Sequence, residues 1–389
     1  MTTSAGHTPY IKNATPHQPL ARHPALQRSK HETKPIERCP YCGDHGIIKK
    51  GVRKNKYGAV QLFYCRRCAK KFSPLVTKGK SFPLKIIIAA VNAYHRFLPL
   101  EAAADAVSKR YGIAVSRQNL KNWLRDFREY LPVTRLYKTI AREYPPRRVL
   151  LEHRLLHGQV YEFKYHRAKG ELIVGGSPEH DAFRPLLDFF ESVPRSTPHE
   201  LFRDQRSRAS TQKHKHHFPV DGVHIEPKDN AAKKIAAFVL QSVATNKLRH
   251  EALQEFMLLN DSVTVAVEVP IVLSADDVAH FRDALGFEIP FTLEPGASIT
   301  GHIDFVQVRN GKIHILDYKP GAKTDKPIEQ LTIYALALSR LTGLRLFDFK
   351  CAWFDGEHFY EFYPLHVVHK TPHARAGGRH ALKKRPLNA

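Results

Sequence analysis

Asn310-Gly311 is the feature that most restricts what this chain can fold into. It joins two strand-like runs, Gly301–Arg309 and Lys312–Lys319. Asn-Gly is the strongest short-range hairpin signal, because both central residues of the tight turn need positive φ. A two-residue turn fixes the register: Arg309 falls opposite Lys312, and counting back by pairs sets Asp304 opposite Asp317. Opposed residues share a face with Cβ atoms about 5 Å apart, and Lys319, two positions on, joins them. Two bare carboxylates at that spacing repel by about 3 kcal/mol at an effective dielectric near ~20. A hard divalent cation offsets the repulsion, with the ammonium beside it to hold a water or a phosphate oxygen. Val306, Val308, Ile313 and Ile315 fall on the same face, which speaks for burial rather than a solvated hairpin with incidental charges.

Charge points to the partner. The 389 residues carry 61 Lys+Arg against 37 Asp+Glu, a formal +24, which is the footprint of a polyanion partner and first of all of nucleic acid. The opening residues are polar and rich in Pro and His, unlike a signal peptide. The longest apolar run, Leu84–Val91, is far shorter than the ~20 residues of a membrane span. No membrane association is therefore expected, and a cytoplasmic, nucleoid-associated protein is. Four of the five cysteines form two C-x-x-C pairs, which suits a reducing compartment and a metal better than disulfides.

The chain divides into six stretches by composition. Residues 1–34 and 367–389 read as basic tails, 35–78 as a four-cysteine zinc ribbon, 80–132 as a helix-turn-helix, 133–228 as an unassigned connector and 229–366 as an α/β block. Within the connector a hairpin is expected around Val160–Val174, a helix around Phe183–Glu191, and an exposed linker at Arg203–His217. Cys39, Cys42, Cys65 and Cys68 supply the four thiolates of a closed, structural Zn²⁺ site, with a ribbon turning near Tyr57-Gly58. In the helical stretch, Gly112 ends one helix and Ser116 caps the next. Arg117, Gln118, Asn119, Lys121 and Asn122 at the start of that helix suit a DNA groove, while Ala103, Val107, Leu120, Trp123, Leu124 and Phe127 suit a core. A plain three-helix bundle is the alternative.

Two resemblances add to this. CPYC and YCRRCAKKFS resemble the zinc ribbon at the front of some insertion-sequence transposases, which implies DNA contact by Lys49, Lys50, Arg53, Arg66, Arg67, Lys70 and Lys71. G-x-x-D, a strand and D-Y-K, followed by Gln330-x-x-x-Tyr334, resemble the PD-(D/E)XK nuclease superfamily in its RecB-like branch, over roughly residues 245–363. The implied fold is multidomain, with a restriction-endonuclease-like α/β domain after the ribbon and helices. The resemblance makes Asp304 and Asp317 ligands of Mg²⁺ or Mn²⁺, with the Tyr318 carbonyl as a further ligand. It has Lys319 orient the attacking water, and Gln330 and Tyr334 organise the substrate or support the site. The branch also carries an upstream ligand, for which His250 is the choice and Glu251 and Glu268 the runners-up. Ile303 stands where other members have proline. The iron–sulfur cysteines of some relatives are absent, and Cys351 reads as a buried strand residue.

These readings lead to a metal-dependent DNA nuclease, foremost an endonuclease, delivered to its site by the ribbon and helix-turn-helix and belonging to a mobile element or defence system. A homodimer or partner proteins of such a system fit that role. The alternatives are a RecB-like exonuclease and a DNA-binding regulator carrying an inactive nuclease fold. A DDE-type transposase core in 133–228 ranks last, since three spaced carboxylates on strands cannot be placed there.

Overall fold

The computed structural model describes residues 38–369 apart from 56–57, 74–79, 177, 205–206, 212–217, 221–222 and 244–246. The tail 1–34, the turn residue Tyr57, the end of the Arg203–His217 stretch and residues 370–389 lie outside the described residues, while Val367 and Val368, expected to open the second tail, are instead buried in the main core.

A small antiparallel sheet comes first: β1 (Ile47–Asn55), β2 (Gly58–Cys65) and β3 (Lys71–Phe72). Its buried core is Cys39, Phe63, Cys65 and Phe72. The helices Leu84–His95, Leu100–Tyr111 and Arg117–Asp126 follow. Gly112, at φ 64, closes the second of them. Ser116 opens the third with a capping box, its Oγ accepting the Asn119 N–H at 3.1 Å while Asn119 Oδ1 accepts the Ser116 N–H.

The main sheet has eight strands in the order β4-β5-β7-β8-β9-β10-β11-β6. They are β4 (Leu150–His157), β5 (Gln159–His166), β6 (Glu226–Pro227), β7 (Thr264–Ser274), β8 (Ser298–Arg309), β9 (Lys312–Tyr318), β10 (Phe349–Phe354) and β11 (Phe359–Phe362). The β9–β10 pair is parallel and the other ladders antiparallel, so the sheet is mixed. Val306, Ile313 and Ile315 share one core with the helices Ile328–Thr342 and Arg184–Ser196. Phe305, Leu316 and Tyr318 share the other with Ala231–Val239, Lys247–Asn260 and the helical stretch from Leu84 onward. The helical stretch is therefore not a separate globule. Its His95 Nδ1 lies 2.6 Å from Asn260 Oδ1, and Asn260 Nδ2 donates to Asn92 Oδ1 at 2.7 Å, all three side chains being buried.

Two expectations for 133–228 are corrected. The hairpin turns earlier, at Gly158 (φ 75), so β4 and β5 span 150–166 and residues 167–174 are helical. β5 pairs with β7 through Lys164–Val267 and Tyr165–Ala266, which makes this hairpin an edge of the main sheet rather than a connector. The stretch from Arg203 is not simply an exposed linker either. Arg208 bridges Thr300 of β8, and the Ala209 N–H donates to the Thr300 carbonyl at 2.9 Å. The β8–β9 ladder extends only to Phe305–Leu316, leaving the Thr300 edge open to this segment.

Candidate active site

The turn does what its chemistry requires: Asn310 (φ 52) and Gly311 (φ 63) are both left-handed, and Arg309 pairs with Lys312. The ladder then runs through Val308–Ile313, Gln307–His314, Val306–Ile315 and Phe305–Leu316. It stops one pair short of the aspartates. At Asp304 the side chain takes over, its Oδ2 accepting the Tyr318 N–H at 3.0 Å. The Lys319 N–H bonds instead to the Phe354 carbonyl of β10, so β9 parts from β8 where the carboxylates lie.

The strict alternation expected along β8 fails at the same place. Ile303 and Val306 belong to one core and Phe305 to the other, and on β7 the same holds for Val269, Ala266 and Val267. At the same place Glu268, between the Val267–Phe305 and Val269–Ile303 pairs and so across from Asp304, has φ 51. A left-handed non-glycine residue costs on the order of 1 kcal/mol, and such outliers gather at functional sites. Here it turns a carboxylate toward Asp304.

The predicted groups come together around this break, joined by Gln254, which the sequence did not single out. His250 Nε2 lies 3.1 Å from the Tyr318 carbonyl oxygen and 3.5 Å from Asp304 Oδ2. Lys319 Nζ lies 2.9 Å from Asp317 Oδ2. Gln254 Nε2 donates to Glu268 Oε1 at 2.7 Å, orienting the third carboxylate. Gln330 Nε2 donates to the Tyr334 hydroxyl at 3.0 Å, and both residues are buried. The Tyr334 ring packs over Gly301: a Cβ there would stand 2.5 Å from Tyr334 Cε1, which is why the G-x-x-D signature needs glycine. Gly301→Ala is expected to cost about 1–3 kcal/mol of stability through overpacking, measured by urea unfolding. Adding Tyr334→Ala should remove most of that penalty, and failure to do so would place the strain elsewhere. Glu251, by contrast, is exposed and outside this group.

The electrostatics show how much negative charge is crowded here. Burial, and then the charge of Asp304, push Asp317 up to about 7 and Glu268 likewise to about 7. Burial opposes the ionisation of Asp304, yet His250, Lys319 and the Tyr318 N–H hold its carboxyl below the usual range. Burial also opposes charge on His250, but the neighbouring aspartates raise it to about 8. Asp317 Oδ2 is buried against the Lys319 ammonium 2.9 Å away, and three carboxylates share the site with Lys319 and His250. Two carboxylates, an imidazole nitrogen and a carbonyl fit a divalent cation of the Mg²⁺/Mn²⁺ class.

Cation binding must then expel the protons that Asp317, Glu268 and His250 hold near neutrality. Apparent affinity for Mn²⁺ is expected to climb between about pH 6 and 8, since the raised pKa values keep these groups protonated below that window. Calorimetry in buffers of different ionisation enthalpy reads the released protons. A pH-independent affinity would refute the ligand set.

Residues 212–358 match the model of the PD-(D/E)XK nuclease superfamily. The C-terminal block is a PD-(D/E)XK domain. The match contains Glu268, Asp304, Asp317 and Lys319, while the β4–β5 hairpin and Arg208 lie upstream of it although they belong to the same sheet. The chain is also 33% identical over 100 residues to an insertion element ISM1 uncharacterized 48.3 kDa protein of Methanobrevibacter smithii. That similarity covers 22% of this chain and 25% of the relative, so the chain spans about a quarter of the relative's length. No solved structure matches it.

The four-cysteine cluster is a separate centre. Its Sγ atoms all lie within 4.8 Å of one another, and the Cys39–Cys68 and Cys42–Cys65 pairs are each 3.6 Å apart. Around a tetrahedral Zn²⁺ with Zn–S near ~2.3 Å, sulfurs stand about 3.8 Å apart, so the cluster is compatible with that ion. The two knuckles match residue for residue: Gly43 (φ 72) follows Cys42 as Ala69 (φ 54) follows Cys68. Arg66, Arg67 and Lys70 are exposed beside it, with Lys70 Nζ 4.7 Å from the Tyr41 ring centroid. On the third helix Arg117, Gln118 and Lys121 are exposed. Arg117 pairs with Glu101 at 3.0 Å, while the Asn119 side chain is committed to the capping box. Cys351 is buried in β10. Among the described residues no helix is long and apolar enough to cross a membrane.

Proposed function

We propose that this protein is a metal-dependent DNA endonuclease, carried to its target by the zinc ribbon and the second and third helices. The observation that carries this reading is the convergence of Glu268, Asp304, Asp317 and Lys319 from three adjacent strands, with His250 reaching in from a helix. A divalent cation would be held by Asp304, Asp317, His250 and the Tyr318 carbonyl, with Glu268 beside them. When bound, it supplies Lewis acidity toward the phosphate and a water of lowered pKa.

The chain's own residues do the rest. Burial weakens the charge on Lys319, but Asp317 and Asp304 more than restore it, so the ammonium stays protonated. Lys319 therefore acts as a donor and not as a base. It orients the attacking water and opposes the negative charge that builds on the phosphate. Asp317 fixes that ammonium, and Gln330 and Tyr334 buttress the strand ends from behind. The charge of +24 and the exposed Arg66, Arg67, Lys70, Arg117, Gln118 and Lys121 support a DNA substrate. Similarity to an insertion-element protein supports a place in a mobile element.

Incubating the protein with supercoiled and with linear plasmid in Mg²⁺ or Mn²⁺ tests this. Nicks or breaks in the closed circle are the expected result. Degradation of linear DNA alone would make it an exonuclease, and cutting of neither would leave a DNA-binding regulator on an inactive fold. Sequencing the cut ends then reads the site preference.

A further inference from the structure

Glu268, Asp304 and Asp317 crowd the proposed centre, and a DNA phosphate entering it brings more negative charge. A second fixed cation stands close by. Arg208 is anchored by its backbone to β8 at Thr300, four residues from Asp304, and the adjoining Ala209 is buried. Its guanidinium carbon lies 5.2 Å from the centroid of the Tyr161 ring. The Tyr161 ring stacks in turn on His302 of β8, two residues before Asp304, with ring centroids 3.7 Å apart, and the charge of Arg208 reaches Glu268 of β7.

Arg208 thus stands where the carboxylate cluster meets the β4–β5 hairpin. The imidazoles beside it cannot supply the same charge. His157 and His302 are both buried and lie 2.8 Å apart, their ring nitrogens committed to each other in a chain that continues to the half-buried His199. Arginine keeps its charge at any working pH, and its planar fork matches two phosphate oxygens. The side chain is only partly buried, so a ligand can reach it.

We infer that Arg208 is a phosphate-binding residue of the nuclease centre, gripping the DNA backbone on the Glu268 side while Lys319 serves the Asp317 side. This rests on the nuclease reading above and adds a residue from outside the part of the chain that matches the superfamily.

The test uses the full-length protein and a short DNA duplex in which single phosphates are replaced by neutral methylphosphonates. Arg208→Ala should slow cleavage by about 100-fold, and Arg208→Lys should recover only part of that for want of the fork. At one or two positions the methylphosphonate should slow the wild type strongly yet add nothing in Arg208→Ala. With Ca²⁺ in place of Mg²⁺, the slope of log affinity against log salt should fall by about one in Arg208→Ala. A merely structural arginine would lower all substrates alike, so identical methylphosphonate profiles in the two proteins overturn the assignment. If Arg208→Ala does not fold, Arg208→Lys carries the same comparison. If the wild type cuts no DNA, the nuclease reading fails, and the salt slope alone decides whether Arg208 touches phosphate.

Discussion

Asp317→Ala and Lys319→Ala are each expected to nick supercoiled plasmid at least about 1000-fold more slowly than the wild type in Mg²⁺ or Mn²⁺. The two losses have different origins. Asp317→Ala removes a buried carboxylate that faces the Lys319 ammonium, and with it a proposed ligand of the cation. Mn²⁺ affinity should fall along with the rate. Lys319→Ala leaves the proposed ligands in place and removes the ammonium 2.9 Å from Asp317. Mn²⁺ affinity should then stay within a few-fold while cleavage collapses.

Both proteins should fold. In Lys319→Ala the Asp317 carboxyl, already pushed up to about 7, takes a proton rather than remain a lone buried charge. In Asp317→Ala the Lys319 side chain is 18% exposed and gains water. Thermal melts check that point. Wild-type cutting no faster than these two would refute the enzyme reading outright.

How much of this centre could be read in the sequence follows from which forces are local. The Asn310-Gly311 turn is a two-residue device, so its register was legible, and five observed pairs follow it. The partner strands were harder. That β9 leaves β8 at the aspartates depends on Phe354 of β10 accepting the Lys319 N–H, a contact between distant segments that no periodicity encodes. Glu268 could be suspected as a carboxylate among apolar strand residues, but its left-handed backbone is stabilised only by its surroundings.

Arg208 was the least legible. A run of Arg, Lys and His reads as solvated, and nothing local says that Ala209 satisfies the open Thr300 edge. The shared core of the helical stretch and the sheet was hidden for the same reason: Asn92, His95 and Asn260 meet across long stretches of chain. Amphipathic helices declare that they have a buried face, not which partner covers it.

Removing Zn²⁺ from the cysteine cluster, by chelation under reducing conditions or by Cys65→Ser, is expected to unfold the ribbon and spare the rest. The ribbon's core is Cys39, Phe63, Cys65 and Phe72. Burying a phenylalanine side chain stabilises by about 1.5–3 kcal/mol, while ordering each backbone residue costs about 1–2 kcal/mol. Two stacked rings, with centroids 6.0 Å apart, cannot offset that cost over three strands. A structural Zn²⁺ supplies about 10–16 kcal/mol in small domains, which is the order of the shortfall. The eight-stranded sheet has two large cores of its own and needs no such help. Hydrogen exchange should therefore show β1 and β2 amides losing protection on zinc removal while β7, β8 and β9 keep theirs. Plasmid nicking at low salt should survive, because the proposed catalytic residues lie outside the ribbon. Its rate should fall more steeply with salt as Arg66, Arg67 and Lys70 are no longer held in place. Ribbon amides that stay protected after metal analysis finds no zinc would mean that the four cysteines hold no structural ion.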